Sequence, residues 1–256
     1  MSSREQAAAA IADRRVLVAG ATATKLSSMV SPADPVVVLG PGPRFVSRGG
    51  EKLDAALDRF DIDVQGRRAL DAGSSTGGFV DCLLQRGATE VIAFDVGRGQ
   101  LDERLRKDPR VVLHEGRNIR SVQAELLGPA GRVDMVTADL SFISLRTVAP
   151  VLAGLVRPGG DLVVLVKPQF EAGRAEASRG KGVISDPAVW REALIEVASA
   201  LGAAGTGIMG AMASPLRGAA GNVEFFLHAT ASGTALPASR LESLADAAIA
   251  SVPTAG

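Results

Sequence analysis

The chain contains one cysteine, Cys82. That excludes an internal disulfide framework and a cysteine-rich zinc site, and no metal site is expected. Cys82 lies in an amphipathic stretch behind a glycine-rich loop, where it is expected to pack as a small apolar residue. Aromatic residues make up only 4% of the sequence, and no alternating strand series with aromatic girdles is present, which argues against a barrel-type pore. No window approaches the roughly 18–20 apolar residues of a membrane span. The start, Met1-Ser2-Ser3-Arg4-Glu5-Gln6, lacks the apolar segment of a secretory signal. A cytoplasmic protein without stable membrane association is expected. Net charge is absent as well. The 28 basic residues balance 28 acidic ones, so any surface for a polyanion must be local.

What is present is a hydrophobic content of 46% over 256 residues, enough for one large α/β domain with a small appendage. Ser3 to Asp13 reads as a short helix, with Ser3 as cap and Gln6 three residues on completing a capping-box pattern. Arg15-Val16-Leu17-Val18-Ala19-Gly20 reads as a strand entering a turn, and Val36 to Leu39 as a second strand. This piece is too short for an independent core. On Ser3-Arg4-Glu5-Gln6-Ala7, Val16-Leu17-Val18 and Lys25 its order resembles the S4 RNA-binding fold; a generic helix and hairpin is the alternative. The first S4 helix would precede Ser3, so the module is either truncated or begins upstream of Met1. Gly40-Pro41-Gly42-Pro43 is a linker by composition. The expected division is a partial S4-like RNA-binding domain over 1–40, a linker over 41–47 and the main domain over 48–256.

After the linker, Leu53, Ala56, Leu57 and Phe60 recur at helical spacing. Lys52 then falls in the first turn of that helix, a poor place for a cation because a helix N-terminus is already positive. From Arg67 onward strands and helices alternate. Strands are expected at 69–70, 91–94, 111–113, 133–137, 162–166, 207–212 and 223–227, and helices at 77–86, 144–156 and 187–201. That alternation argues for a doubly wound, mainly parallel α/β sheet of seven strands. Only a loop separates the last two strands, so an antiparallel hairpin edge is expected. Leu241 to Val252 reads as a terminal amphipathic helix.

Two stretches carry the chemistry. Leu70-Asp71-Ala72-Gly73-Ser74-Ser75-Thr76-Gly77-Gly78-Phe79 reads as a strand running through a glycine-rich turn into a helix, where backbone N–H groups meet a ligand. Gly73 is followed by Ser74 and Ser75 rather than by the second glycine of G-x-G-x-x-G, and the P-loop lysine is missing. The turn suits a nucleoside without a polyphosphate, a description that S-adenosylmethionine fits. In open α/β sheets ligands sit at the carboxyl ends of the strands. The polar residues expected there are Asp71, Asp95, Asn118, Asp139 and Lys167. Asp95 would take ribose hydroxyls and Asn118 the adenine edge. Lys167 ends an apolar run and Glu224 opens the last strand, so with Lys52 and Asp139 two cations and two carboxylates converge, tolerable inside a protein only as a paired network. A neighbouring ammonium and partial desolvation both lower a lysine pKa, which would let such a lysine act as a general base.

Lys52, Asp139, Lys167 and Glu224 resemble the K-D-K-E tetrad of the ribose 2′-O-methyltransferases of the FtsJ/RrmJ class. The surrounding words are similar to one branch, the TlyA family: 45–52 (Phe-Val-Ser-Arg-Gly-Gly-Glu-Lys), 71–79, Asp95-Val96-Gly97-Arg98-Gly99-Gln100-Leu101, Ala138-Asp139-Leu140-Ser141-Phe142-Ile143-Ser144 and Val166-Lys167-Pro168-Gln169-Phe170-Glu171. That family is known both as haemolysins and as cytidine 2′-O-methyltransferases of 16S and 23S ribosomal RNA, and it joins an S4 domain to a class I, Rossmann-like methyltransferase domain. Two departures are the missing first S4 helix and Pro43-Arg44-Phe45-Val46 in place of R-x-W-V. The resemblance implies S-adenosylmethionine as cofactor, held by Asp71, Gly73, Ser74, Thr76, Gly77, Gly78, Asp95, Asn118 and Asp139. It implies ribosomal RNA or ribosomal subunits as partners, met by Arg4, Arg14, Arg15, Lys25 and Arg48. In the chemistry it implies, Lys167 accepts the proton, Asp139 orients it, and Lys52 with Glu224 set its charge and position the hydroxyl. Three other readings stand beside it: an RNA-binding module without turnover, a small-molecule methyltransferase and a membrane-active haemolysin.

Overall fold

The computed structural model describes residues 4–40, 42–172, 182–218 and 220–252. The chain divides into two compact units, Met1–Val46 and Ser47–Gly256.

In the first unit, helix α1 (Arg4–Ala12) closes with the Arg14 and Arg15 N–H groups on the Ile11 and Ala10 carbonyls. Strand β1 (Val16–Val18) is the centre of an antiparallel sheet, with β2 (Ala21–Thr22) on one side and β3 (Val36–Val38) on the other. Ala19 and Gly20, at φ 47° and 83°, form the two-residue turn between β1 and β2. Two positive φ values match the right-handed twist of a tight hairpin, which explains glycine at the second position. The sequence reading did not include β2. The helix cap expected at Ser3 and the linker residue Pro41 lie outside the described residues.

The second unit holds a seven-stranded sheet, in the order β6-β5-β4-β7-β8-β10-β9. Its strands are β4 (Arg68–Ala72), β5 (Glu90–Asp95), β6 (Val111–Glu115), β7 (Val133–Ala138), β8 (Val156–Val166), β9 (Thr206–Ala213) and β10 (Phe225–Ala231). β10 runs antiparallel to both neighbours, and β4 to β8 pair in parallel. The chain builds outward from β4 to β6, then returns to lay β7 on the other side of β4. The switch in direction therefore lies between β4 and β7, where open α/β sheets leave a crevice at the strand ends.

Helices α2 (Arg48–Arg59) and α3 (Gly78–Gln85) pack together, with Phe79 of α3 stacked 6.1 Å from Phe226 of β10. The larger core, with Leu152, Leu162, Leu194, Phe225 and Leu241, joins the sheet to α5 (Leu145–Leu155), α7 (Pro187–Ala203) and α8 (Ala238–Ala250). Phe225, Leu227 and Ala229 of β10 enter that core, while Phe226 and His228 meet Phe79 and Phe60, which is the strand alternation of period two. Cys82 is buried, as expected.

Short elements complete the unit: α4 (Glu103–Arg106), two 3₁₀ turns (Ile119–Ser121 and Ala124–Leu127) and α6 (Pro168–Glu171). Three expected boundaries are corrected. β8 begins at Val156 rather than near Leu162, because Arg157-Pro158-Gly159-Gly160 continues the strand through an irregularity opposite Val133 and Met135. β10 begins at Phe225, so Glu224 lies just before the strand instead of opening it. α2 begins at Arg48, so Lys52 is its fifth residue, one turn beyond the expected place.

Candidate active site

The glycine loop leaves β4 at Ala72 and turns at Gly73, whose φ is 89°. The N–H groups of Gly73 and Ser74 both donate to the Phe94 carbonyl, which ties the loop to the end of β5. A Cβ on Gly73 would stand 2.5 Å from the Asp139 carbonyl oxygen. Glycine at this position therefore lets the turn after β4 touch the turn after β7. Gly77 caps α3 at φ 99°. A Cβ on Gly78 would meet the Ser47 Oγ at 2.3 Å and the Gly50 N at 2.8 Å. The glycines of Ser-Arg-Gly-Gly-Glu-Lys and of Thr-Gly-Gly-Phe thus interlock, and the starts of α2 and α3 face one cleft. Ser47, Lys52, Gly73, Ser74, Thr76 and Asp139 are on its wall.

Two ion pairs stand at this end of the sheet. Lys52, buried, places its Nζ 2.6 Å from the Glu224 Oε2, and Glu224 is itself 4% exposed. Lys167, at the end of β8, places its Nζ 2.5 Å from the Asp139 Oδ1 and donates to the Ser141 Oγ at 3.0 Å. The tetrad expected from the sequence is thereby brought together as two pairs, each lysine meeting a carboxylate. Glu224 is held by the loop before it: its carbonyl accepts from the Ser214 N–H, and Gly218 leaves room for its carboxylate. The Arg48 guanidinium donates to the Arg217 carbonyl of the same loop, so part of its capacity serves the fold rather than a partner.

The residues expected to hold a cofactor take different positions. Gly73, Ser74, Thr76, Gly78 and Asp139 line the cleft directly. Asp95 closes β5 with its Oδ2 accepting from the Ser75 N–H at 2.8 Å and its Oδ1 from the Gly97 N–H at 2.7 Å. Asn118 is exposed, and its side chain caps the first 3₁₀ turn through the Arg120 N–H at 3.0 Å. Asp71 is corrected: β4 runs one residue further, and Asp71 is fully buried within it rather than standing on the rim. Its Oδ1 accepts from the Thr137 hydroxyl at 2.8 Å, while its Oδ2 has no partner among the described residues. Burial pushes the Asp71 carboxyl up to about 8; the Thr137 hydrogen bond opposes this, and the nearby Asp139 and Asp95 charges add to it. At neutral pH Asp71 is a carboxylic acid, not a carboxylate.

Of the residues expected to meet RNA, Arg14 and Lys25 are exposed on the first unit, and Arg15 lies 3.4 Å from Asp13. The Arg4 side chain lies outside the described residues. Two features escaped the sequence reading. Phe142, between Asp139 and α5, is 92% exposed at φ 63°, and its ring lies tilted against that of Phe170 at 5.1 Å, a ring that Lys167 approaches at 5.9 Å. A lone aromatic in Asp-Leu-Ser-Phe-Ile-Ser was the available signal. Arg98, Arg117 and Arg120 are exposed at the carboxyl ends of β5 and β6, and the Arg117 N–H donates to the Asp95 carbonyl. No group of three or more His, Cys, Asp or Glu side chains among the described residues is arranged to hold a metal ion. No described helix is long and apolar enough to cross a membrane.

Comparison with known proteins adds three findings. The model of the FtsJ-like methyltransferase family matches residues 45–231. The 16S/23S rRNA (cytidine-2′-O)-methyltransferase TlyA of Mycobacterium tuberculosis is 47% identical over 253 residues, covering 98% of this chain and 93% of that one. A solved protein of Streptococcus thermophilus that bears a hemolysin name is 34% identical, with a TM-score of 0.78 over 97% of this chain and 90% of its own.

Proposed function

The chain belongs to the FtsJ-like methyltransferase family, and from that premise we propose that it transfers a methyl group from S-adenosylmethionine to the 2′-oxygen of a cytidine ribose in 16S or 23S ribosomal RNA. One observation carries this reading: Lys52 and Asp139, one from each ion pair, line the same cleft as the glycine loop.

The cleft residues fit the cofactor. Ser74 offers a buried hydroxyl without a partner among the described residues, Gly73 and Gly78 leave the wall free of side-chain bulk, and Lys52 on that wall is already paired with Glu224. Gly73, Ser74, Thr76, Gly77 and Gly78 would hold S-adenosylmethionine, with Asp95 on its ribose. When bound, it supplies a methyl group already activated on a sulfonium. The chain's own task is then to align a ribose 2′-hydroxyl and to remove its proton. Lys167 accepts that proton on Nζ as the free amine, and the ammonium so formed is the state that pairs with Asp139; Asp139 and the Ser141 hydroxyl fix the direction of Nζ. Lys52 and Glu224, buried and mutually neutral, fix the opposite side of the hydroxyl's seat.

A 2′-hydroxyl is also what separates RNA from DNA, so a site built around it selects RNA. Phe142 offers an exposed ring on which a base splayed out of its stack can rest. The exposed Arg98, Arg117 and Arg120 flank the site as phosphate contacts, and Arg4, Arg14, Arg15 and Lys25 give the first unit, read as the partial S4-like domain, its own contacts.

The test is product analysis after incubating unmodified 30S and 50S subunits with S-adenosylmethionine labelled in its methyl group. Label recovered in alkali-resistant dinucleotides that begin with cytidine supports the reading, because a 2′-O-methyl group blocks the neighbouring phosphodiester. Label on a base or on protein refutes it.

A further inference from the structure

Glu171 closes Val166-Lys167-Pro168-Gln169-Phe170-Glu171 and does not line the cleft. Its side chain is 1% exposed. The Oε2 accepts from the Ser144 Oγ at 2.5 Å, and the Oε1 accepts from the Leu145 N–H at 2.8 Å. Ser144 is the cap of α5 and Leu145 its first residue, so one carboxyl group of α6 satisfies the start of α5 from outside. Arg146 reinforces the joint: it donates to the Glu171 carbonyl at 2.8 Å and pairs with Glu196 of α7 at 2.5 Å. Burial pushes the Glu171 carboxyl above its ordinary range, against the Ser144 and Leu145 hydrogen bonds and the Arg146 charge.

The same two segments, 139–145 and 167–171, meet at two further levels. Asp139 and Ser141 take the Lys167 Nζ, and Phe142 packs on Phe170. The Glu171 joint is the buried end of this seam and Lys167 is its open end. Each segment leaves a different strand, β7 or β8, and among the described residues no backbone hydrogen bond outside the sheet links the two. Their mutual register therefore rests on side chains.

We propose that Glu171 is a positioning residue for methyl transfer: by locking the start of α5 to α6 it sets the distance and direction between Asp139 and Lys167. The inference rests on the reading of Lys167 as proton acceptor. A displacement of about 1 Å at reacting groups costs up to roughly 10²-fold in rate.

The experiment compares wild type, Glu171→Ala, Glu171→Gln and Lys167→Ala in methyl transfer to ribosomal subunits, with S-adenosylmethionine affinity measured by calorimetry on each. Glu171→Ala is expected to lower kcat by at least about tenfold, on the scale set by misplacement. KM for RNA and cofactor affinity stay within about twofold of wild type, a difference too small to mark a lost contact. Glu171→Gln keeps an acceptor for the Leu145 N–H and recovers most of the rate. An unchanged kcat in Glu171→Ala, with Lys167→Ala inactive, overturns the positioning role alone. Full activity in Lys167→Ala overturns the reading beneath it. If Glu171→Ala does not fold, Ser144→Ala removes one of the two donors: slower transfer at unchanged cofactor affinity supports the role, and an unchanged rate refutes it.

Discussion

Asp71→Asn is expected to stabilise the protein at neutral pH and to abolish one identifiable component of its pH dependence. Asp71 is fully buried, one oxygen bonded to the Thr137 hydroxyl and the other without a partner among the described residues. Its carboxyl rises from 3.8 to about 8 in the folded protein, above all through burial. Below pH 3.8 both folded and unfolded chains hold the proton and nothing is lost. Between there and about pH 8 the unfolded chain has released the proton while the folded one retains it, so stability falls as pH rises. The slope approaches 1.4 kcal/mol per pH unit, and at pH 7 the accumulated loss is about 4 kcal/mol. Asparagine has the same shape, still accepts from Thr137 and carries no titrating group. Urea unfolding of both proteins at pH 5.5, 6.5 and 7.5 measures the difference directly, because other titrating groups cancel between them. The stability gap should widen with pH in favour of the variant, by roughly 1 kcal/mol per unit. A gap independent of pH would refute the buried, protonated state of Asp71.

Three further outcomes follow from the site. Gly78→Ala drives a methyl group to within 2.3 Å of the Ser47 Oγ and 2.8 Å of the Gly50 N, so the α2–α3 joint must open. Thermal unfolding should register a loss of about 1–3 kcal/mol, with weaker cofactor affinity in calorimetry. Lys52→Met leaves Glu224 buried and unpaired, which costs about 3–5 kcal/mol, and the double variant with Glu224→Gln should recover part of it in denaturant titrations. Phe142→Ala, at an exposed position, should leave unfolding and cofactor affinity unchanged. It should raise KM for RNA about tenfold, as expected for the loss of one base-stacking contact of roughly 1–3 kcal/mol; an unchanged KM would remove Phe142 from the RNA surface.

The parallel sheet was legible because its strands are short apolar runs bounded by turn residues, and β4 to β7 occur where those runs predict. β8 was cut short because Arg157-Pro158-Gly159-Gly160 has the composition of a turn, and only its pairing with β7 draws it into the sheet. The apolar spacing from Leu53 onward places Lys52 in the first turn, whereas α2 already begins at Arg48 and takes in Gly49 and Gly50, which face Gly78. The four charged residues of the tetrad could be read from the chain, but not their pairing, which depends on the sheet order that sets β7 beside β8. A strand ending at Asp71 puts that residue on the rim, whereas the pairing with β5 and β7 continues through Ala72. The neutrality of Asp71 comes from burial, which a lone Asp in a strand does not announce. Glu171 was visible as a letter of its motif, whereas its role depends on α5 starting against it.

In the proposed reaction Lys167, seated by Asp139 beside the glycine cleft, takes the proton of a ribose 2′-hydroxyl. Single-turnover methyl transfer to ribosomal subunits by wild type and Lys167→Ala, with S-adenosylmethionine affinity measured in parallel, tests it most directly. Transfer slowed by roughly 10²–10⁴-fold at unchanged cofactor affinity is the predicted result, the range that general base catalysis contributes. Transfer by Lys167→Ala at the wild-type rate would contradict the account.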